Sequence, residues 1–277
     1  MILPVPFLQN PFQFTSKQLF ASLLFGAALA GAQQQAAANP LVNLGSASGF
    51  AVLGGAGISV GGAANSSTVY GDMGSFPTLA ITGLGNLDLH GVNHGGDSVT
   101  QQGKLDLSTA YNDAASRTPT VTFGAIHDLG GATLTSGVYN DPSSFGITGV
   151  LTLDGAGNPN AVWVFQAGST LITAGSSQVV LTGGAQASHV FWQVGSSATL
   201  GTYSQFAGTI LAFTDITLTT GAAVEGRVLA QNGAVTLDQN SINAASVPDA
   251  GATVGLLSSS LLALALVGRS ALCRRQI

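Results

Sequence analysis

From residue 44 onward the chain is a succession of short apolar runs separated by Gly, Asn and Ser. The runs are of two kinds. In the first, apolar side chains follow one another without a break, as in Ile210-Leu211-Ala212-Phe213, Val228-Leu229-Ala230, Val190-Phe191-Trp192 and Ala161-Val162-Trp163-Val164-Phe165. Such a run reads as a strand covered on both faces. In the second, apolar and polar positions alternate, as in Ile216-Thr217-Leu218-Thr219 and Val235-Thr236-Leu237-Asp238. There Ile216, Leu218, Val235 and Leu237 point inward, while the Thr residues and Asp238 point outward. Gly, Asn and Ser between the runs mark sharp corners.

The two kinds recur in a fixed order. GTILAFTDITLTTGAAVE, starting at Gly208, is followed by GRVLAQNGAVTLDQNSI, starting at Gly226; Leu211 aligns with Leu229 and, after one extra residue, Leu218 with Leu237. The period is therefore 18 to 19 residues. A unit this short cannot bury a core alone and must stack on copies of itself, which makes a β-solenoid. One coil is longer: Gln166-Ala167-Gly168-Ser169 returns as Gln193-Val194-Gly195-Ser196, 27 residues on.

The segment DSVTQQGKLDLSTAYNDAASR, 97–117, breaks this rhythm. It reads as one long helix, with Asp97 as N-cap, Val99, Leu105, Tyr111 and Ala114 as apolar positions, Arg117 near the C-terminal end and Pro119 as the stop. A lone helix beside a solenoid covers the flank built from the doubly apolar runs.

Only 7% of the 277 residues are charged, against the usual quarter or so. The body holds three basic residues, Lys104, Arg117 and Arg227, too few for a phosphate-binding patch, so nucleic-acid binding is disfavoured. The single cysteine, Cys273, excludes an intramolecular disulfide. Acids are scattered and include one Glu, which argues against the clustered carboxylates of a solenoid lyase or hydrolase. His90 and His94 have metal-pair spacing but sit in a Gly-rich turn with no third ligand. No metal or cofactor is expected, and Trp163 and Trp192 read as core residues rather than a sugar platform.

The termini read as processing segments. Lys17, the apolar stretch 19–29 and Ala30-Gly31-Ala32 form a secretory signal pattern over 1–32, followed by a flexible leader, 33–43. At 247–277, Val247-Pro248-Asp249-Ala250-Gly251 precedes an apolar run of about 15 residues and Arg269, Arg274 and Arg275; that run is short for a stable span.

LGSASGFAVL, YGDMG, GGDSVTQQGKLDLSTAYNDAASRTP, LTSGVYN, VWVFQAGSTL, HVFWQVGSSATLG and the 208–242 repeat together resemble the microbial ice-binding protein family of the DUF3494 type, over about 44–245 and in the family's order. The resemblance implies a mostly β fold: an irregular right-handed β-solenoid, triangular in section, with one long α-helix packed along one face. Tyr70-Gly71-Asp72-Met73-Gly74 continues without a long insertion, as in members that lack a capping subdomain. The tail is similar to the VPDSG-type variant of PEP-CTERM sorting signals, with Ala250 in place of Ser, which implies processing by an exosortase.

The implied function is non-enzymatic adsorption to an ice crystal surface by a secreted or surface-displayed monomer, inhibiting growth or recrystallisation. Rungs about 4.8 Å apart and outward residues about 6.7 Å apart repeat on the scale of an ice lattice, and β-branching holds each Thr in a fixed rotamer. The expected ice row is Thr170, Thr199, Thr217 and Thr236, each preceding an inward Leu, with Thr219 in a neighbouring column beside Ile172, Gly201 and Asp238. The rival flank carries Ser204, Gln205, Ala223, Ser241 and Asn243. The alternative is an extracellular matrix or adhesin-like protein without ice activity, since family membership alone does not dictate activity.

Overall fold

A computed structural model describes residues 39–244 apart from residue 125; the signal expected at 1–32 and the tail expected at 247–277 lie outside the described residues. The strands pair in parallel and form a 15-stranded and an 8-stranded sheet. The larger sheet folds round a corner. Gln205–Ala212 and Ala223–Ala230 each run unbroken from one flank to the next. The result is a three-sided solenoid. Face a holds the doubly buried runs, such as Phe50–Gly54, Trp163–Ala167 and Val190–Val194. Face b is the 8-stranded sheet. Face c includes Ser67–Tyr70, Val150–Asp154 and Gln178–Thr182.

The repeat read from the sequence is the observed register. Gly208 lies opposite Gly226, Leu211 opposite Leu229 and Thr217 opposite Thr236. Gln166 lies opposite Gln193, so the longer coil stacks in step and places its extra residues outside the ladder. Inside, Tyr139, Phe165 and Trp192 occupy one column. Phe165 and Trp192 stack with centroids 3.9 Å apart, and Trp163 and Trp192 are both fully buried. The Trp192 indole donates to the Ala207 carbonyl at 3.1 Å, so burial leaves its polar edge satisfied.

Stacking order departs from chain order. Phe50–Gly54 pairs with Ala223–Ala230, Ile58–Gly61 with Val235–Asp238, and Ser67–Tyr70 with Ser241–Asn243. The N-terminal coils thus continue the stack beyond the C-terminal coil. The chain must then return to the opposite end, where Val121–Thr122 begins the last rung. The helix makes that return. Eight rung steps of face a separate Asn93–Gly95, where the chain enters the helix, from Val121–Thr122, about 38 Å at 4.8 Å per step. The 19 residues Ser98–Ser116 cover about 28 Å at 1.5 Å each, and the flanking residues supply the rest.

Asp97 caps the helix by accepting from the Thr100 N–H at 2.9 Å. At the other end the Gln166 amide donates to the Ala114 and Arg117 carbonyls, both at 2.8 Å, satisfying groups a helix end leaves orphaned. The buried stripe is Thr100, Gly103, Lys104, Leu107, Ala110 and Ala114. It keeps Ala114 of the stripe read from sequence, and Tyr111 packs against its edge. Val99 and Leu105 face solvent, and the small residues lie inward because the helix approaches the sheet closely. A Cβ on Gly103 would stand 2.8 Å from the Phe50 ring. Leu107, Ala110 and Ala114 join Phe50, Leu53, Val164, Phe191, Leu211 and Leu229 in a second core outside the solenoid wall. Val42 and Leu44 belong to it too, so part of the segment read as a flexible leader is packed against the helix core.

Among the described residues, four turns from face b to face c pass through the left-handed region at a residue other than Gly: Asn65 (φ 52), Ser176 (φ 58), Tyr203 (φ 58) and Gln239 (φ 56).

Candidate functional site

Face b is built from short alternating strands, and no other element covers it among the described residues. Its inward side chains, among them Ile58, Val60, Leu171, Ala198, Leu200, Ile216, Leu218, Val235 and Leu237, are buried in the interior core. That core fixes the outward positions between them. Pairing lines up one central outward column of eight rungs: Thr82, Ser59, Thr236, Thr217, Thr199, Ile172, Gly146 and Asp128. Five consecutive rungs carry a short hydroxyl side chain, a run of about 19 Å at the inter-strand spacing. Ser59 Oγ donates to Thr236 Oγ1 at 3.4 Å, linking two of them directly.

This corrects the expected row at one end and extends it at the other. Thr199, Thr217 and Thr236 share the column as expected. Thr170 does not. Leu171 pairs with Ala198 and Ile172 with Thr199, so Ile172, 53% exposed, occupies the rung assigned to Thr170. Thr170 sits one outward position upstream, where its hydroxyl donates to Ser144 Oγ at 2.9 Å. The inward Leu used for alignment is matched in this coil by Ala198, not Leu200, a slip of one alternation period. Ser59 and Thr82 were missed because their coils lie far away in sequence. Their signal was present, however: Ile58-Ser59-Val60 and Ile81-Thr82 repeat the inward–outward pattern of Ile216-Thr217-Leu218. Ile172, read as a column mate of Thr219, stands in the central column instead, and Thr219 lies one outward position beyond Thr217. Its hydroxyl donates to the Leu200 carbonyl at 2.7 Å and lies 3.3 Å from Thr202 Oγ1.

The acids of this face are drawn into local hydrogen bonds. Asp215 Oδ1 accepts from the Ala234 N–H at 2.7 Å, and Asp238 accepts from the Thr220 hydroxyl. Asp128, at the end rung, accepts from the Thr148 hydroxyl and the Gly130 and Thr148 N–H groups. Burial raises the Asp128 carboxyl, but these hydrogen bonds outweigh it and hold the group below the usual range. What remains outward is short, uncharged and β-branched over the central rungs.

The other candidates separate. His94 lies between two carboxylates, its Nδ1 3.0 Å from Asp97 and its Nε2 3.3 Å from Asp72, and so braces the helix start. His90 stacks on Tyr70 and lies 3.2 Å from Asp88. The two histidines therefore belong to different clusters, and no group of three or more His, Cys, Asp or Glu that could hold a metal ion occurs among the described residues. The rival flank is face c. Gln205, Ala223 and Ser241 form one outward column, and Glu225 and Asn243 the next, while Ser204 is buried. Face c is not flat: a hollow of about 390 Å³ opens beside Leu181, Ser188, Glu225 and Asn243.

Known proteins share this architecture. The profile of a family described as ice-binding-like matches residues 52–243. An ice-binding protein of Nostoc sp. (strain HG1) is 44% identical over 255 residues, covering 88% of this chain and 93% of its own length. One from Colwellia sp. is 37% identical, covering 83% and 93%. The crystal structure of an ice-binding protein from the Antarctic ascomycete Antarctomyces psychrotrophicus superposes with a TM-score of 0.72 at 42% identity, over 75% of this chain and 100% of that one. That of an Arctic yeast ice-binding protein gives 0.66 at 32%, over 75% and 96%. These families of β-solenoids are not enzymes, in keeping with the scattered acids. With its solenoid and covering helix matched by a profile spanning most of its length, this chain belongs to the ice-binding-like family.

Proposed function

We propose that the protein adsorbs to ice through face b and inhibits crystal growth or recrystallisation. The observation that carries this is the uninterrupted column Thr82–Ser59–Thr236–Thr217–Thr199 on a rigid sheet. Rungs about 4.8 Å apart hold hydroxyls and methyls in a fixed array, and β-branching limits each Thr to few rotamers. Water ordered on such an array joins the growing lattice, and the bound protein then pins the crystal front. Ile172 ends the hydroxyl run, and Gly146 and Asp128 lie beyond it, so the Thr82 end is the contact end. Thr219 supports the contact from the flanking column, and Thr170 lies outside the central one.

The proposed setting is outside the cell. The basic, apolar and small-residue pattern of 1–32 supports secretion. The 247–277 segment, with its short apolar run and Arg-rich end, supports exosortase processing or anchoring to the envelope.

The test is thermal hysteresis and ice-crystal shaping with two variants. Thr217→Tyr places a ring in the middle of the column and is expected to abolish most activity without unfolding the protein. Gln205→Tyr, on face c, is expected to leave it intact. Loss of activity in Gln205→Tyr alone would move the contact to face c. A folded wild-type protein that neither shapes ice nor slows recrystallisation would refute the function.

A further inference from the structure

Face c carries features that ice adsorption does not use. Two adjoining hollows of about 390 and 400 Å³ share Leu181 and Glu225 in their walls. One outward column crosses them and continues along the face: Glu225 opposite Asn243, Asn243 opposite Tyr70, Tyr70 opposite His90. Successive members are about 4.8 Å apart. Gln205 lines the second hollow, and Gln186 and Ser188 wall the first.

Two properties of this surface are specific. The first is unused polarity. Among the described residues, the Glu225 carboxylate and the Asn243 and Gln205 amides make no side-chain hydrogen bond, so their donors and acceptors face the hollows free. The second is an exposed aromatic ring one rung beyond the hollows, next to Asn243. Tyr70 is 47% exposed and lies flat on His90, with ring centroids 4.4 Å apart and 9° between planes. His90 comes from the rung on the far side, so the open face of the Tyr70 ring is turned towards Asn243 and the hollows.

This chemistry excludes most ligands. Among the described residues no Lys or Arg lines the hollows, so phosphates and acidic polymers find no counter-charge there. A single carboxylate does not hold a divalent cation. The concave surface does not match a crystal plane. Amides and a carboxylate that recognise hydroxyls, next to a ring that covers an apolar C–H face, suit one class of molecule. We propose that face c is a binding groove for a neutral polysaccharide segment, with Tyr70 stacking on one sugar ring and Glu225, Asn243 and Gln205 hydrogen-bonding hydroxyls of the next. The protein would then hold an extracellular glycan on one flank while presenting face b to ice on another.

The test uses cellohexaose, maltohexaose and mannohexaose as probes, with an oligogalacturonate as the acidic comparison, in calorimetric titrations of the purified protein. At least one neutral probe is expected to bind and the acidic one not to. Tyr70→Ala is expected to weaken binding at least about tenfold, equivalent to about 1.4 kcal/mol. Gln205→Tyr, which fills the groove, gives the same loss with ice activity retained, and supplies the result should Tyr70→Ala not fold. Thr217→Tyr on face b leaves glycan binding unchanged, which separates this proposal from the ice-contact reading. No binding of any neutral probe at about 10 mM, undiminished binding in both groove variants, or equal binding of the oligogalacturonate would overturn it.

Discussion

Lys104 stands where the helix crosses the junction between the N-terminal and C-terminal coils, and its energetics can be tested by one substitution. Its buried ammonium donates to the Ala230 and Gln231 carbonyls, both at 2.6 Å. Lys104→Met keeps the packing of the stem and removes the charge. Hydrogen bonds from charged groups contribute about 1.5–3 kcal/mol each, so the change forfeits about 3–6 kcal/mol. In the other direction, burial pushes the Lys104 ammonium down to about 8 from 10.5, a desolvation penalty of about 3 kcal/mol at neutral pH that Met does not carry. The expected net loss is therefore about 0–3 kcal/mol, a fall in Tm of up to roughly 10 °C for a domain of this size.

The pH dependence carries a sharper signature. The unfolded chain keeps the proton up to its ordinary 10.5, while the folded protein releases it at about 8. Between those values the unfolded state binds more protons, so stability rises with pH. From about pH 7 to about pH 9.5 the Lys104 contribution is about 2 kcal/mol. Urea unfolding followed by the fluorescence of the buried Trp163 and Trp192 reads the difference between wild type and Lys104→Met at both values. Identical pH dependence in the two proteins, or a variant more stable than wild type at neutral pH, would refute the reasoning.

Three further outcomes follow from single positions. Gly226 has φ +147, and a Cβ there would stand 2.0 Å from the Gly208 carbonyl oxygen. Gly226→Ala is therefore expected to cost more than about 3 kcal/mol or to prevent folding, seen as a lost or sharply lowered Tm. Ser176→Gly relieves a left-handed residue at an exposed corner and is expected to gain about 0.5–1 kcal/mol in urea titrations, the strain released exceeding the entropy of the added Gly. Burial lowers the His94 imidazole, but hydrogen bonds and charge from Asp97 and Asp72 outweigh it and hold the group above its ordinary 6.5. Its stabilising contribution is complete below pH 6.5 and lost as pH rises through the folded value, so the pH dependence of Tm between about 6 and 8 should flatten in His94→Asn.

What the sequence by itself determined is local. Whether a residue such as Thr217 or Leu218 faces out or in follows from alternation along one strand, and the helix from its cap, its stop and its break in the β rhythm. The stack of like coils is also legible where the period is regular, as between Gly208 and Gly226. Tertiary structure decided the rest. Which rung Ile172 joins depends on how a 27-residue coil absorbs its extra residues, and so Thr170 fell out of the column. The coil bearing Ser59 stacks on the C-terminal coil, 177 residues away in sequence, and the coil bearing Thr82 stacks on that of Ser59. The helix stripe is set by close approach to Phe50, not by hydrophobicity. The physical reason is common to all three. Direction in or out is a property of one strand's own pleat, whereas register and stacking order are set by hydrogen bonds between strands that the chain brings together only when it folds.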